Sequence, residues 1–255
     1  MTGKSIREIK EEIQQIPLEK LKEHLLFYQE DQRKGVQDFV RSQEKRLKKY
    51  EEEISRVEQL LYFEKKYEEY SYICGVDEVG RGPLAGPVVA GAVILPKDCR
   101  ILYINDSKKL TAKKREELAA EIQEKALAIG IGMASHERID AINILQATYE
   151  AMRKAIQSLS VKPSLLLNDA VTIPEVEIPQ VAIIKGDARS ISIGAASIVA
   201  KVYRDHMMEE YDTMYPGYGF ASNKGYGSKE HIEALRRLGP CPIHRRSFLK
   251  SIISK

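Results

Sequence analysis

The chain has 255 residues, 43% of them hydrophobic, which is enough for one large domain or for a domain with an appendage. Its formal net charge of +3 gives no global basic field that would by itself demand a nucleic-acid partner. No apolar run approaches the ~20 residues of a membrane span. The cysteines, Cys74, Cys99 and Cys241, lie too far apart for a disulfide framework or a Cys-x-x-Cys metal site, so we expect a reduced, cytoplasmic protein that uses no membrane.

Residues 1–70 are rich in Glu, Lys, Arg and Gln and predict helices. Ser5 and Glu8 have the spacing of a capping box that opens a short helix. From Val36 to Leu61, apolar residues recur at alternating spacings of four and three, with Gln43 as the one polar member, which is typical of a heptad seam. We expect a helical hairpin or small bundle, which is either a packing appendage or a module that handles substrate or binds a partner.

The remainder, residues 71–255, alternates strands with helices. Strands are predicted at 72–76, 88–95, 129–135, 164–167 and 181–184. Helices are predicted at about 111–128, 139–159 and 192–214, with two short ones in a basic segment from about residue 223. Strands first, then helices alternating with strands, indicate an α/β fold in which a mixed sheet is flanked by helices.

Carboxylates follow three of the predicted strands: Asp77 and Glu78 the first, Asp169 the fourth, and Asp187 the fifth. Active sites of open α/β sheets gather at strand ends. Acids brought together there would raise each other's pKa unless a cation neutralised them. Oxygen ligands in this number suit Mg²⁺ or Mn²⁺, and two such ions ~3.5–4 Å apart can activate a water and stabilise a leaving oxygen. The pattern therefore predicts a two-metal phosphodiester site.

A Gly-Arg-Gly turn, Gly80 to Gly82, follows the first two acids. Neighbouring side chains of a regular strand point to opposite faces, so Asp77 and Glu78 can share one site only if the strand ends or bulges there. The two glycines permit such a turn and the close approach of another backbone. Arg81 adds a cationic fork suited to phosphate.

Six motifs, in this order, resemble ribonuclease HII over residues 72–250 or so. They are GVDEVGRGP at 75–83, DSKKL at 106–110, KGD at 185–187, AASIVAKV at 195–202, NKGYG at 223–227 and HRRSF at 244–248. The resemblance implies a ribonuclease H-like fold and metal-dependent cleavage of the RNA strand of RNA/DNA hybrids. It also implies incision 5′ to a single ribonucleotide in duplex DNA. It says nothing about residues 1–70.

The resemblance also implies roles for individual residues. Four of them match the metal-binding catalytic carboxylates: Asp77, Glu78, Asp169 and Asp187. The matches to nucleic-acid-binding positions are Gly80, Arg81 and Gly82 at the junction turn and Tyr226 against the next sugar. Apart from the resemblance, we expect Ser107 and Lys108 to contact phosphate, the alternative being that Asp106-Ser107 is only a turn. Arg245 and Arg246 belong to the basic segment that we expect to hold the duplex backbone. One departure is Asn168-Asp169-Ala170, where the family has an aliphatic residue before the Asp and a Gly after it.

Three further side chains each have two interpretations. Asp205 is a rival for the fourth acid, although an i,i+4 pair with Lys201 is the better interpretation. His231 and His244 are candidates for phosphate contact or proton handling, although a single surface His is more often structural.

The sequence therefore predicts a monomeric endoribonuclease in which a metal-activated water attacks the phosphate 5′ to a ribonucleotide. The products are a 3′-hydroxyl and a 5′-phosphate. Two other classes stay open at this stage: another ribonuclease H-like nuclease, such as an exonuclease or junction resolvase, and a non-catalytic hybrid-binding protein. The first also needs clustered acids, whereas the second gives no reason for four intact ones.

Overall fold

The computed structural model describes residues 3–253, so that Lys255, the last residue of the predicted basic segment, lies outside the described residues. The chain divides into two compact units, one ending at Glu58 and one beginning at Gln59. Within the described range, no helix is both long enough and apolar enough to cross a lipid bilayer.

The first unit is helical, as predicted. It contains α1 (Ile6–Gln14), α2 (Leu18–Leu26) and most of α3 (Lys34–Leu60). The capping box is confirmed, because the Ser5 hydroxyl accepts from the Glu8 N–H at 3.2 Å and the Glu8 carboxylate accepts from the Ser5 N–H at 2.6 Å. The core of this unit is made of Ile9, Ile13, Leu21, Leu25, Tyr28, Val36 and Val40.

The second unit is built on a five-stranded sheet of order β3-β2-β1-β4-β5. Its strands are β1 (Ile73–Val79), β2 (Val88–Ile94), β3 (Ala128–Ala134), β4 (Leu165–Asp169) and β5 (Gln180–Ile183). β1 pairs antiparallel with β2, and β2 with β3, whereas β1, β4 and β5 run parallel to one another. The mixed α/β fold is thus confirmed, and the carboxyl ends of β1, β4 and β5 meet at one edge.

Helices cover both faces of this sheet. The helices of the second unit are α4 (Tyr62–Lys66), α5 (Ala112–Lys125), α6 (His136–Gln157), α7 (Ile191–Met214), α8 (Phe220–Asn223), α9 (Lys229–Leu238) and α10 (Arg246–Ile253), of which α6 and α7 contact the sheet most extensively. Side chains of α6 pack with Cys74 and Val76 of β1. On the opposite face, α7 lies so close to β1 that a Cβ at Gly75 would be 2.0 Å from the backbone carbon of Ser192. The glycine therefore lets α7 begin directly beside the strand that carries the first acids.

β1 is longer than its sequence predicts. It continues through Val79, and Asp77 and Glu78 pair in regular register with Gly91 and Ala90 of β2. The strand neither ends nor bulges at the acids, because β2 supplies a partner backbone for its whole length. Side chains of Asp77 and Glu78 consequently leave opposite faces of the sheet.

Candidate active site

Asp77 is the most enclosed of the predicted site acids, with 6% of its surface exposed. Its Oδ1 accepts the Glu78 N–H at 2.7 Å. Burial raises the pKa of this carboxyl well above its ordinary value, and the nearby charges of Glu78 and Asp169 raise it further. A carboxyl group in such surroundings favours a bound cation or a proton.

Glu78 lies at the same end of the sheet but forms an ion pair with an arginine. Its Oε1 is 3.2 Å from Nη1 of Arg81, three residues along the chain. Burial raises the pKa of Glu78, while Arg81 and Lys108 oppose that shift and Asp169 adds to it. Arg81 and Lys108 therefore place positive charge at the edge of the cluster of acids.

Asp169 and Asp187 meet at the ends of β4 and β5. Oδ1 of Asp169 accepts the N–H of Gly186 at 2.6 Å, and Asp187 is the next residue, in a 3-10 turn formed by Gly186–Ala188. Burial raises the pKa of Asp187, followed by the charges of Asp106 and Asp169. Asp106 is a fifth acid that the sequence reasoning left as a turn residue, and the signal for it is its place at the head of the DSKKL motif.

Although Asp77 and Glu78 leave opposite faces of β1, the charge of Asp169 acts on both of them and on Asp187, so the four predicted acids form one group at the strand ends. Their chemistry fits a divalent cation. They offer only hard oxygen donors, and the raised pKa values of Asp77, Glu78 and Asp187 reflect a burial and repulsion that a cation would relieve. From residue 3 to residue 253, however, no three His, Cys, Asp or Glu side chains converge as a ready metal cage.

The departure around Asp169 has a visible backbone consequence. Ala170 adopts φ +56°, in the left-handed region that favours glycine, and its N–H donates to the Ile183 carbonyl at 3.0 Å. Asn168 is fully buried; its amide nitrogen donates to Gln180, whereas its Oδ1 has no partner among the described residues. The chain therefore keeps the position of Asp169 at a cost in local strain.

The glycine turn that follows Asp77 and Glu78 lies against Tyr226. Gly80 has φ +88°, which a side chain would strain, and a Cβ at Gly82 would lie 3.7 Å from Cε1 of the Tyr226 ring. Tyr226 is 42% exposed, and its carbonyl accepts a hydrogen bond from Nδ1 of His231 at 2.8 Å. The Gly82 backbone and the partly exposed Tyr226 ring thus lie almost in contact, in the turn that follows Asp77 and Glu78.

Two buried arginines support this turn from the protein interior. One of them is Arg245, for which the predicted contact with nucleic acid does not fit its position. Arg245 is fully buried and donates to the carbonyls of Gly80, Arg81 and Gly86 at 2.6, 2.9 and 2.9 Å. A side chain engaged in this way cannot reach a phosphate. Sequence reasoning treats Arg245 and Arg246 alike because burial is set by distant parts of the chain.

Arg204, which sequence reasoning missed, completes the support. It is also fully buried and donates to the carbonyls of Ala85, Pro87 and Lys224 at 2.9–3.1 Å. A Cβ at Gly80 would lie 2.3 Å from its Nε, so this glycine makes room for the guanidinium as well as for the turn. Among the described residues, neither arginine forms an ion pair with a carboxylate.

The remaining predicted contact residues divide into exposed and buried ones. Lys108 and Arg246 are exposed. Ser107 is buried instead, with its hydroxyl 3.0 Å from that of Ser197. Lys224 of the basic segment is paired with Glu209 at 2.6 Å. Lys108 and Arg246 thus keep their side chains accessible to a phosphate.

The rival residues have structural partners. Asp205 pairs with Lys201, as the i,i+4 spacing predicts, and with Arg115 at 3.4 Å. His231 and His244 are buried, with their Nε2 atoms 3.0 Å apart. Since Nδ1 of His244 accepts the Cys241 N–H at 2.9 Å, we assign its Nε2 as the donor to His231.

Comparison with known proteins places this fold and site in a class. The structure of ribonuclease H2 from Pyrococcus horikoshii matches with a TM-score of 0.59 and 28% identity, over 72% of this chain and 97% of that one. Ribonuclease HII from Archaeoglobus fulgidus, solved in a complex with PCNA, matches with a TM-score of 0.60 and 26% identity over the same shares. The fold is therefore that of the ribonuclease H nucleases.

Sequence comparison narrows the class to one family. Residues 74–251 match the family model "Ribonuclease HII", and residues 5–68 match "Ribonuclease HII N-terminal domain". Ribonuclease HII of Lachnoclostridium phytofermentans is 67% identical over 89% of both chains, and that of Clostridioides difficile is 52% identical over 99% of this chain and 100% of that one. The chain belongs to the ribonuclease HII family. It is accordingly a hydrolase that binds RNA/DNA hybrids and cleaves their RNA strand, which decides against the two alternative classes.

Proposed function

We propose that this enzyme also incises duplex DNA at a single embedded ribonucleotide, on its 5′ side, leaving a 3′-hydroxyl and a 5′-phosphate. The observation that carries the proposal is the close approach of the Gly82 backbone to the exposed Tyr226 ring, in a turn that follows two of the acids. Glycine backbone can approach a ribose closely, and the 2′-hydroxyl is the group that distinguishes RNA from DNA. The Tyr226 ring would exclude a hydroxyl on the following sugar. The cellular role we propose is removal of misincorporated ribonucleotides and RNA primers.

The proposed catalytic and metal-binding residues are Asp77, Glu78, Asp169 and Asp187, and the proposed cofactor is Mg²⁺ or Mn²⁺. Two bound ions would supply activation of the attacking water and stabilisation of the leaving oxygen. The carboxylates would hold the ions at the edge of the sheet, while Arg81 and Lys108 would bind and orient the phosphate next to them.

We assign duplex binding to exposed basic side chains of the C-terminal segment. Lys229, Arg236, Arg237 and Arg246 are exposed there. Contacts from these side chains to phosphates release counterions, so the affinity should fall steeply as salt is raised.

For the helical extension, predicted as residues 1–70, we propose that it extends the grip on the duplex or recruits a protein partner. The end of the first compact unit at Glu58 gives the cut for its test. Removal of residues 1–58 should weaken duplex affinity or abolish partner capture while leaving hybrid cleavage. Unchanged affinity, cleavage and partner binding would remove this proposal.

We further propose a monomeric, cytoplasmic enzyme. Cys74, Cys99 and Cys241 are all free thiols, which suits a reducing compartment. Sedimentation equilibrium should give the mass of one 28.9 kDa chain.

The deciding experiment uses a labelled DNA duplex with one ribonucleotide, incubated with Mg²⁺ or with EDTA. We expect one metal-dependent cut 5′ to the ribonucleotide, strongly reduced by Tyr226→Ala. Tyr72→Ala is the matched control, because Tyr72 is 41% exposed but precedes the opposite end of β1. If the wild-type enzyme makes no cut at the single ribonucleotide but still cleaves long hybrids, the proposal of single-ribonucleotide incision is refuted.

A further inference from the structure

Glu64, on α4, combines burial with an incomplete set of hydrogen bonds. Its Oε1 accepts from the Ser190 hydroxyl at 2.6 Å and from the Ser192 N–H at 3.1 Å. Its Oε2 is shielded from solvent and has no partner in the described part of the chain. Burial raises the pKa of this carboxyl. A buried acceptor left unpaired costs free energy, so its presence calls for an explanation.

Glu64 binds a hydroxyl and an N–H group at the start of α7. The first N–H groups of a helix lack partners within the helix. Ser190 is the N-cap of α7, and its hydroxyl accepts the Ile193 N–H at 3.3 Å. Glu64 satisfies a second of these groups, the Ser192 N–H, and orients the Ser190 hydroxyl. Negative charge at this end of a helix is also favourable.

The start of α7 is joined in turn to two of the site acids. The Ser190 N–H donates to the Gly186 carbonyl at 2.8 Å, and the Gly186 N–H donates to Oδ1 of Asp169 at 2.6 Å. Asp187 follows Gly186 in the same turn. The chain of hydrogen bonds from Glu64 to Asp169 therefore passes through Ser190 and through the backbone that presents Asp187.

Packing leaves this region little freedom to adjust. A Cβ at Gly186 would lie 2.5 Å from Cδ1 of Ile193 and 3.3 Å from Oδ1 of Asp169. Gly75, two residues before Asp77, touches the backbone of Ser192 in the same way. A shift in the start of α7 would thus be transmitted to the strand and the turn that carry the acids.

We propose that Glu64 is a positioning residue, which sets the start of α7 and thereby the placement of Asp187 and Asp169 for metal binding. The inference rests on the proposed role of these acids as metal ligands. Glu64 lies outside all six sequence motifs and inside the region matched by the N-terminal family model, yet it belongs to the compact unit that contains the site. The competing explanation is that Glu64 only fastens α4 to the rest of the second unit.

The test uses the full-length chain with Glu64→Ala, Glu64→Gln and, as matched control, Glu68→Ala. Glu68 is exposed and lies one helical turn further along, just beyond the end of α4. Mn²⁺ binding to the free protein is measured by isothermal titration calorimetry, together with Tm and kcat on a long RNA/DNA hybrid. Ser190→Ala is a second variant that cuts the same connection without altering α4.

We expect Glu64→Ala to weaken Mn²⁺ binding and to lower kcat by about tenfold each, the effect typical of lost outer-shell support. Glu64→Gln should recover most of both, because its amide oxygen can accept the same two hydrogen bonds. Ser190→Ala should act in the same direction, and the double variant should be no worse than Glu64→Ala, since both act through one connection.

A lowered Tm in Glu64→Ala, with unchanged Mn²⁺ affinity and kcat, would overturn the proposal in favour of the fastening role. If Glu64→Ala does not fold, unchanged Mn²⁺ affinity in Ser190→Ala would overturn it equally. Failure of the wild-type protein to bind Mn²⁺ would instead refute the proposed role of the acids, and the two failures are therefore distinguishable.

Discussion

Arg245 and Arg246 are adjacent in the chain but should respond to substitution in opposite ways. Arg245→Met removes three hydrogen bonds from a charged donor to buried carbonyls, whereas Arg246 is exposed. Each such bond contributes about 1.5–3 kcal/mol, offset in part by release from the cost of burying the guanidinium. Burial and the charge of Arg204 lower the pKa of Arg245 to about 9, which marks that cost.

We therefore expect Arg245→Met to lower the free energy of unfolding by about 3 kcal/mol, and Arg246→Met to change it by less than about 0.5 kcal/mol. Urea denaturation at pH 7 measures both values. Arg246→Met should instead weaken duplex binding and flatten its salt dependence, by about one phosphate contact.

Activity gives a second measure of the same pair. The carbonyls that Arg245 holds belong to the Gly80 turn, so its loss should reduce single-ribonucleotide incision more than cleavage of a long hybrid. Equal stability of the two variants, or a loss of affinity only in Arg245→Met, would refute the assignment of Arg245 as the support of the turn.

The remaining predictions concern the acids, the strained alanine and the histidine pair. Asp77→Asn should retain hybrid binding within about twofold and lose cleavage, which a filter-binding assay and a cleavage assay check together; retained cleavage would remove Asp77 from the catalytic set. Ala170→Gly should raise the free energy of unfolding by about 1 kcal/mol in urea denaturation, because glycine relieves the left-handed conformation at φ +56°; lower stability would show that no strain is stored there. Burial, followed by the charge of His231, lowers the pKa of His244 to about 4 from the ordinary 6.5. As the pH falls, the unfolded chain thus binds this proton before the folded chain does. The contribution of neutral His244 to the free energy of unfolding is therefore fully present above about pH 6.5 and falls by about 2 kcal/mol between pH 7 and pH 4.5. His244→Asn should lack this part of the pH dependence in matched urea titrations, and identical slopes would contradict it.

Local rules account for the parts of this molecule that the sequence predicts well. The capping box at Ser5, the period of the strands and the i,i+4 pair of Lys201 with Asp205 depend on residues a few positions apart. Alternation of strands and helices then implies a sheet with acids at its edge, because parallel strands end together. The edge shared by β1, β4 and β5 follows from the same rule.

Long-range packing explains what the sequence could not predict. Whether β1 ends at Asp77 depends on how far β2 accompanies it, which the local Gly-Arg-Gly pattern does not encode. The burial of Arg245 depends on carbonyls about 165 residues away, and Glu64 binds a serine 126 residues further on. None of these contacts leaves a spacing signal along the chain.

The sheet order also determines when during synthesis the site can exist. β1, β2 and β3 are successive neighbours and can form an antiparallel meander early, carrying only Asp77 and Glu78. Asp169 arrives with β4, whose pairing with β1 joins residues about ninety positions apart and closes slowly. Asp187 follows after β5. A chain still on the ribosome therefore lacks two of the four predicted site acids until about two thirds of it has emerged, and the last one until nearly three quarters has. The predicted four-acid site can therefore form only once β5 and the turn after it have been made.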